Sequence, residues 1–138
     1  MKLTAFLVIS PGICRADAAY CSEPLSFWGG VDVKTGRIID VHHSSCGMDL
    51  KGRVLCIPQD RGSCSGSGVM LEMIRLGTAP AGILCIEAEP VLALAPMIGE
   101  RLYGWKLPIR TVSEEDYKKI SSACWITFAE DAILIDEN

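Results

Sequence analysis

The stretch from Arg53 to Gly77, RVLCIPQDRGSCSGSGVMLEMIRLG, constrains this chain more than any other. It reads as strand, tight loop and helix. Val54 to Ile57 is a short apolar run of the kind a buried strand presents, and Pro58 is expected to end it. Gly62, Gly66 and Gly68 then alternate with Ser63, Ser65 and Ser67. Val69, Met73 and Leu76 recur at helical spacing, with Met70 and Ile74 alongside, and Gly77 supplies a stop. Hydroxyls and unpaired backbone N–H groups therefore gather where a helix starts. Such a terminus favours carboxylate or phosphate, so this loop is the expected functional site.

The rest of the chain is read around that unit. Its 138 residues suit one domain over 1–138, and no internal repeat, low-complexity segment or linker divides it. A net charge of −4 argues against non-specific nucleic-acid binding. No run approaches the roughly 18 apolar residues of a membrane helix. The seven cysteines include no C-x-x-C pair, so a zinc ribbon or thioredoxin motif is absent. They read as reduced, mostly buried thiols of a cytoplasmic protein, with no metal ligand set among them. Leu3 to Ile9 imitates a short secretory signal, but Pro11-Gly12 interrupts it and Arg15 and Asp17 crowd the cleavage position. The run reads instead as a first strand, with a second around Ala18 to Cys21.

Arg37 to Val41 is an expected strand. Asp40, His42 and His43 are metal-ligand types, but neighbouring residues on a strand face opposite ways. One packed and one solvated histidine is the simpler reading, with His43 a candidate to line the site. Phe27 and Trp28 read as core or interface. Ala81 to Ile86 and Leu107 to Arg110 are expected strands, and Pro90 opens a helix made irregular by Pro96 and Gly99. Ser113 and Asp116 form a variant capping box for another helix. Trp125 to Phe128 and Ala132 to Ile135 close the chain as strands. Strands alternating with helices predict an α/β domain with partly parallel pairing.

Three chemistries compete for the loop. G-x-C-x-G at Gly62, Cys64 and Gly66 imitates a nucleophile elbow of a cysteine hydrolase, but both histidines precede Cys64 and none follows it. A Walker loop needs G-K-[ST], which is missing. A loop that only caps its helix would need fewer serines than three alternating with glycines. A non-catalytic interaction module is the rival from a different class.

The segments EPLSFWGGVDVKTGRIID, HH, GMDLKGRVLCIP, RGSCSGSG, GTAPAGIL and ERLYGWKLPI resemble the small subunit of the aconitase X family, over roughly Glu23 to Ile109. The resemblance implies a swivelling β/β/α domain similar to the fourth domain of aconitase. It implies a heterodimer with a large subunit that carries the iron–sulfur cluster or iron, and no cofactor on this chain. The implied reaction is dehydration of a hydroxylated acid: cis-3-hydroxy-L-proline to 1-pyrroline-2-carboxylate, or mevalonate 5-phosphate in archaeal members. The family's serine base falls on Ser63, within Arg61-Gly62-Ser63. Where aconitase carries an arginine two positions on, this chain has Ser65, leaving Arg61 as the nearby cation. Arg61, Gly62, Cys64, Ser65, Ser67 and His43 are the implied substrate-binding set. A neutral serine is a poor base, so its alkoxide needs the N–H groups of the 65–76 helix and Arg61. The partner's metal would assist the departing hydroxide. Seven cysteines and three tryptophans are not a typical hyperthermophile composition, which favours the hydroxyproline branch.

Overall fold

The computed structural model describes residues 1–59, 65–88 and 90–137. Its strands, in chain order, are β1 (Lys2–Leu3), β2 (Leu7–Ser10), β3 (Cys14–Tyr20), β4 (Val31–Asp32), β5 (Arg37–Ile38), β6 (Val54–Gln59), β7 (Gly82–Glu87), β8 (Ile109–Thr111), β9 (Trp125–Phe128) and β10 (Ile133–Asp136). The helices are α1 (Ser65–Leu76), α2 (Leu94–Tyr103), preceded by a 3₁₀ turn at Pro90–Ala93, and α3 (Glu114–Lys119).

Eight strands form one sheet in the order β1-β10-β9-β3-β6-β7-β8-β2. Its two edges, β1 and β2, are joined by residues 4–6 alone. Leu3 and Leu7 can therefore lie no more than about 14 Å apart, so the sheet must roll until its edges approach. The expected single strand from Leu3 to Ile9 is thus two strands at opposite edges. Local hydrophobicity does not reveal a break that depends on which partner each half finds: β1 pairs with β10, and β2 with β8.

Strands β3, β6, β7 and β8 run parallel, as the alternating elements predict. The centre of the sheet is buried on both faces, which is why its strands read as unbroken apolar runs. Val54, Cys56 and Leu84 join one core with Phe128, Ile133, Tyr117 of α3 and Ile120 just after it. Leu55, Ile57, Ile83 and Cys85 face the other core, against α1 and α2. The expected mixed α/β architecture is the observed one.

Several boundaries differ from expectation. β6 runs through Pro58 to Gln59. Pro58 lies beyond the last β3–β6 partner pair, Tyr20 with Cys56, where a missing N–H costs the sheet little. β3 spans Cys14–Tyr20 rather than starting near Ala18, because β9 pairs with its first half. β5 is only Arg37–Ile38, paired in a small ribbon with β4; His42 and His43 follow in turns. Pro96 sits in the first turn of α2, where a proline is tolerated, and the helix continues unbroken. Gly99 is a contact rather than an irregularity: a β-carbon there would fall 2.9 Å from Ile74 Cδ1, so it lets α2 approach α1.

Helix α1 packs Met70, Met73 and Ile74 into the core. Burial of each such side chain contributes about 1.5–3 kcal/mol. Leu76 is more exposed, so the buried stripe is one residue round from the expected Val69–Met73–Leu76 row. Gly77 ends the helix with φ 77°. Its N–H donates to the Ile74 carbonyl at 3.2 Å, and Thr78 N–H to that of Met73 at 2.9 Å. That pair of bonds is a Schellman stop.

Candidate functional site

β6 delivers the chain to Gln59 and α1 starts at Ser65. The expected site residues Arg61, Gly62, Ser63 and Cys64 lie between them, outside the described residues. Ser65 opens the helix and Ser67, half-buried, lies in its first turn. No acidic residue occupies that turn. The positive end of the helix dipole is therefore not neutralised from within the helix, and an external anion is favoured there.

The segment from Glu23 to Phe27 runs alongside this junction. Leu25 N–H donates to the Gln59 carbonyl at 3.3 Å. A β-carbon built on Gly66 would stand 4.0 Å from Phe27 Cβ, so the buried Phe27 packs on the first turn of α1. Next to it, Glu23, Pro24, Ser26, Asp40, His42 and His43 line a cavity of about 300 Å³.

His43 is buried and His42 is exposed. The split between packed and solvated histidine is as expected, although turns rather than a strand produce it. Ser45 N–H donates to His43 Nδ1 at 3.0 Å. That assigns the ring proton to Nε2, which donates to the Pro24 carbonyl at 3.2 Å. Glu23 Oε1 lies 3.6 Å from the same nitrogen and also accepts from Ser44 N–H at 3.0 Å. His43 thus ties the 43–45 turn to the Glu23–Pro24 segment. With both ring nitrogens engaged, it would have to leave this arrangement to serve Cys64 as a base, which weighs against the hydrolase reading.

Asp40 Oδ1 accepts from the His42 N–H at 2.9 Å, shaping the turn. Among the described residues, no group of three or more His, Cys, Asp or Glu could hold a metal ion. None of the six described cysteines forms a disulfide. Burial pushes the Cys14, Cys21 and Cys56 thiols up, despite hydrogen bonding that partly offsets it for Cys14 and Cys21. Such thiols are inert rather than nucleophilic. No described helix is long and apolar enough to cross a membrane.

Sequence reasoning did not single out Glu23, Pro24 and Ser45, which hold His43. Their role depends on the Pro24 carbonyl, the Ser45 N–H and the Glu23 carboxylate approaching His43 only in the folded chain, and no residue-type pattern announces them.

The family model of the aconitase X swivel domain matches residues 4–136. The chain belongs to that family. The match extends over β2, β3 and the last strands, well beyond the Glu23–Ile109 span that carries the motifs. The cis-3-hydroxy-L-proline dehydratase of Pseudomonas aeruginosa is 42% identical over 119 residues, 86% of this chain and 20% of that protein. The phosphomevalonate dehydratase small subunit of Methanopyrus kandleri is 51% identical over 86 residues, 62% of this chain and 64% of that one. This aconitase X swivel domain therefore spans about a fifth of the first relative and under two thirds of the second. The crystal structure of Thermococcus kodakaraensis aconitase X in its holo-form superposes with a TM-score of 0.86 at 26% identity, over 99% of both chains. The β/β/α swivel fold expected from the motifs is thus the observed fold.

Proposed function

We propose that this chain is the small subunit of a two-subunit aconitase X-type hydro-lyase, with Ser63 as the base that removes a proton α to a substrate carboxylate. The observation that carries the reading is the β6–loop–α1 junction. It sets a serine-rich loop before a helix start that has no acid of its own. The family match and relatives named as dehydratases support the reaction class. Ser63 follows Gly62, where a substrate can come close to the backbone, and N–H groups at the start of α1 hold the substrate carboxylate and favour the alkoxide. Arg61 adds positive charge; Ser65 and Ser67 supply hydrogen bonds. We assign the iron or iron–sulfur centre to the large subunit, and place the heterodimer in the cytoplasm.

For the substrate we propose cis-3-hydroxy-L-proline, converted to 1-pyrroline-2-carboxylate. The cavity beside the Glu23–Phe27 segment is bordered by Glu23 and Asp40, and none of its described lining residues is Lys or Arg. That setting suits a cationic ring nitrogen better than a phosphate. Mevalonate 5-phosphate is the second reading, favoured by the higher identity to a phosphomevalonate dehydratase small subunit. The test is to purify the chain with its large subunit and assay both substrates. Turnover of the imino acid by the pair, and by neither chain alone, is expected. Dehydration by the isolated 138-residue chain would overturn the split site.

A further inference from the structure

One short segment braces both the end of β6 and the start of α1. Leu25 N–H donates to the carbonyl of Gln59, where β6 ends, at 3.3 Å. Phe27 stands against Gly66, in the first turn of α1. Leu25 and Phe27 are each 1% exposed, so the core fixes the segment at those two positions. Pro24 is held from another direction, by His43. The His43 backbone sits in consecutive turns: its N–H donates to the Asp40 carbonyl and its carbonyl accepts from Cys46 N–H, both at 3.1 Å. Its side chain is 3% exposed. Because Nδ1 accepts from Ser45 N–H, the ring is oriented by its own turn, and Nε2–H is aimed at the Pro24 carbonyl. The ring cannot turn away without leaving the Ser45 N–H and the Pro24 carbonyl without a partner, which is costly out of full contact with water.

From this we infer that His43 is a positioning residue for the reaction: through Pro24 it sets the segment against which Gln59 and the first turn of α1 are braced. The inference rests on the reading above, in which Ser63 is the base and N–H groups at the start of α1 hold the substrate carboxylate. Both ring nitrogens are engaged, so the effect of His43 passes through backbone and not through contact with substrate. The start of α1 is itself one of the groups so placed. Ser63 is two residues from it along the chain, so where α1 begins limits where the Ser63 hydroxyl can lie. A displacement of about 1 Å at a reacting group can cost about a hundredfold in rate. A side chain that touches no substrate can therefore set turnover.

The test separates the two hydrogen bonds of the ring. Glutamine reaches about as far as Nε2 and can donate to the Pro24 carbonyl. Asparagine reaches about as far as Nδ1 and can accept from Ser45 N–H, but it does not span to Pro24. In the complex with the large subunit, His43→Gln should keep kcat within about threefold of wild type. His43→Asn should lower kcat roughly tenfold or more, with KM changed by less than about threefold. In the full chain without its partner, hydrogen exchange at the Leu25 N–H should quicken in His43→Asn and stay as in wild type in His43→Gln. Equal kcat for the two variants, the reverse order, or unchanged Leu25 exchange in His43→Asn overturns the inference. So does a rise in KM at unchanged kcat, which would make His43 a substrate contact. Those outcomes leave the Ser63 reading standing. Wild-type turnover by Ser63→Ala overturns that reading and this inference together.

Discussion

Helices α1 and α3 both start near serines, but only α3 carries acids in its first turn. At α3, Ser113 is extended, with φ −66° and ψ 159°, and its Oγ accepts from Asp116 N–H at 3.1 Å. Glu114, Glu115 and Asp116 fill the first turn. The helix answers its own unpaired donors and its own dipole. At α1 the first turn holds no acid and follows a run of glycines and serines. A first turn that carries its own acids offsets its own dipole; one without them leaves that charge available to a ligand. The serine alone does not distinguish them. The acids beside it do.

The sharpest way to break this comparison is at Ser63. Ser63→Ala in the assembled enzyme should cut turnover by roughly a hundredfold or more while substrate still binds, as loss of a general base does. Ser65→Ala should raise the Michaelis constant more than it lowers turnover. Steady-state kinetics on both variants decide the assignment; a dead Ser65 variant would move the base two residues on. Next in size is an attempt to make α1 resemble α3. Ser67→Glu puts a carboxylate into the first turn, which should help the helix by a few tenths of a kcal/mol and raise the Michaelis constant about tenfold by competing for the dipole and repelling substrate. An unchanged Michaelis constant would show that the helix start does not hold the substrate.

The converse change is smaller. Ser113→Ala should cost about 1 kcal/mol of stability, or about 3 °C in melting temperature, with kinetics of the complex unaltered. The smallest effect concerns β6, the strand that feeds α1. Burial holds the Cys56 and Cys21 thiols above their ordinary range. In the unfolded chain thiols ionise near pH ~8.5; in the fold both ionise only at higher pH. Because the folded values are the higher ones, their contribution to stability is complete below about pH 8.5 and declines as pH rises further. The loss at pH 9 should be under about 1 kcal/mol per thiol. Urea unfolding at pH 7 and pH 9 measures it, and Cys56→Ala should flatten the slope.

Much of the fold was legible where local chemistry and final structure agree. The strand–loop–helix unit from Val54 to Gly77, the Ser113 cap and the last two strands came from periodicity, capping residues and a stop glycine. The misreadings share a cause. Pro58 inside β6, Gly99 packed on Ile74 and the division of Leu3 to Ile9 between β1 and β2 depend on neighbours distant in sequence.

By itself, the sequence determined that a serine-rich loop precedes a helix lacking acids in its first turn, because residue type and spacing set capping and dipole balance locally. It also determined family membership through motifs that need no coordinates. Only the tertiary structure decided which of two adjacent aromatics is core and which faces solvent, and which histidine is packed. Those outcomes turn on where Gly66, Pro24 and Ser45 come to rest. The rolling of the sheet was likewise decided there: pairing β1 with β10 and β2 with β8 brings both edges back to one short connection, a long-range condition that no window of sequence contains.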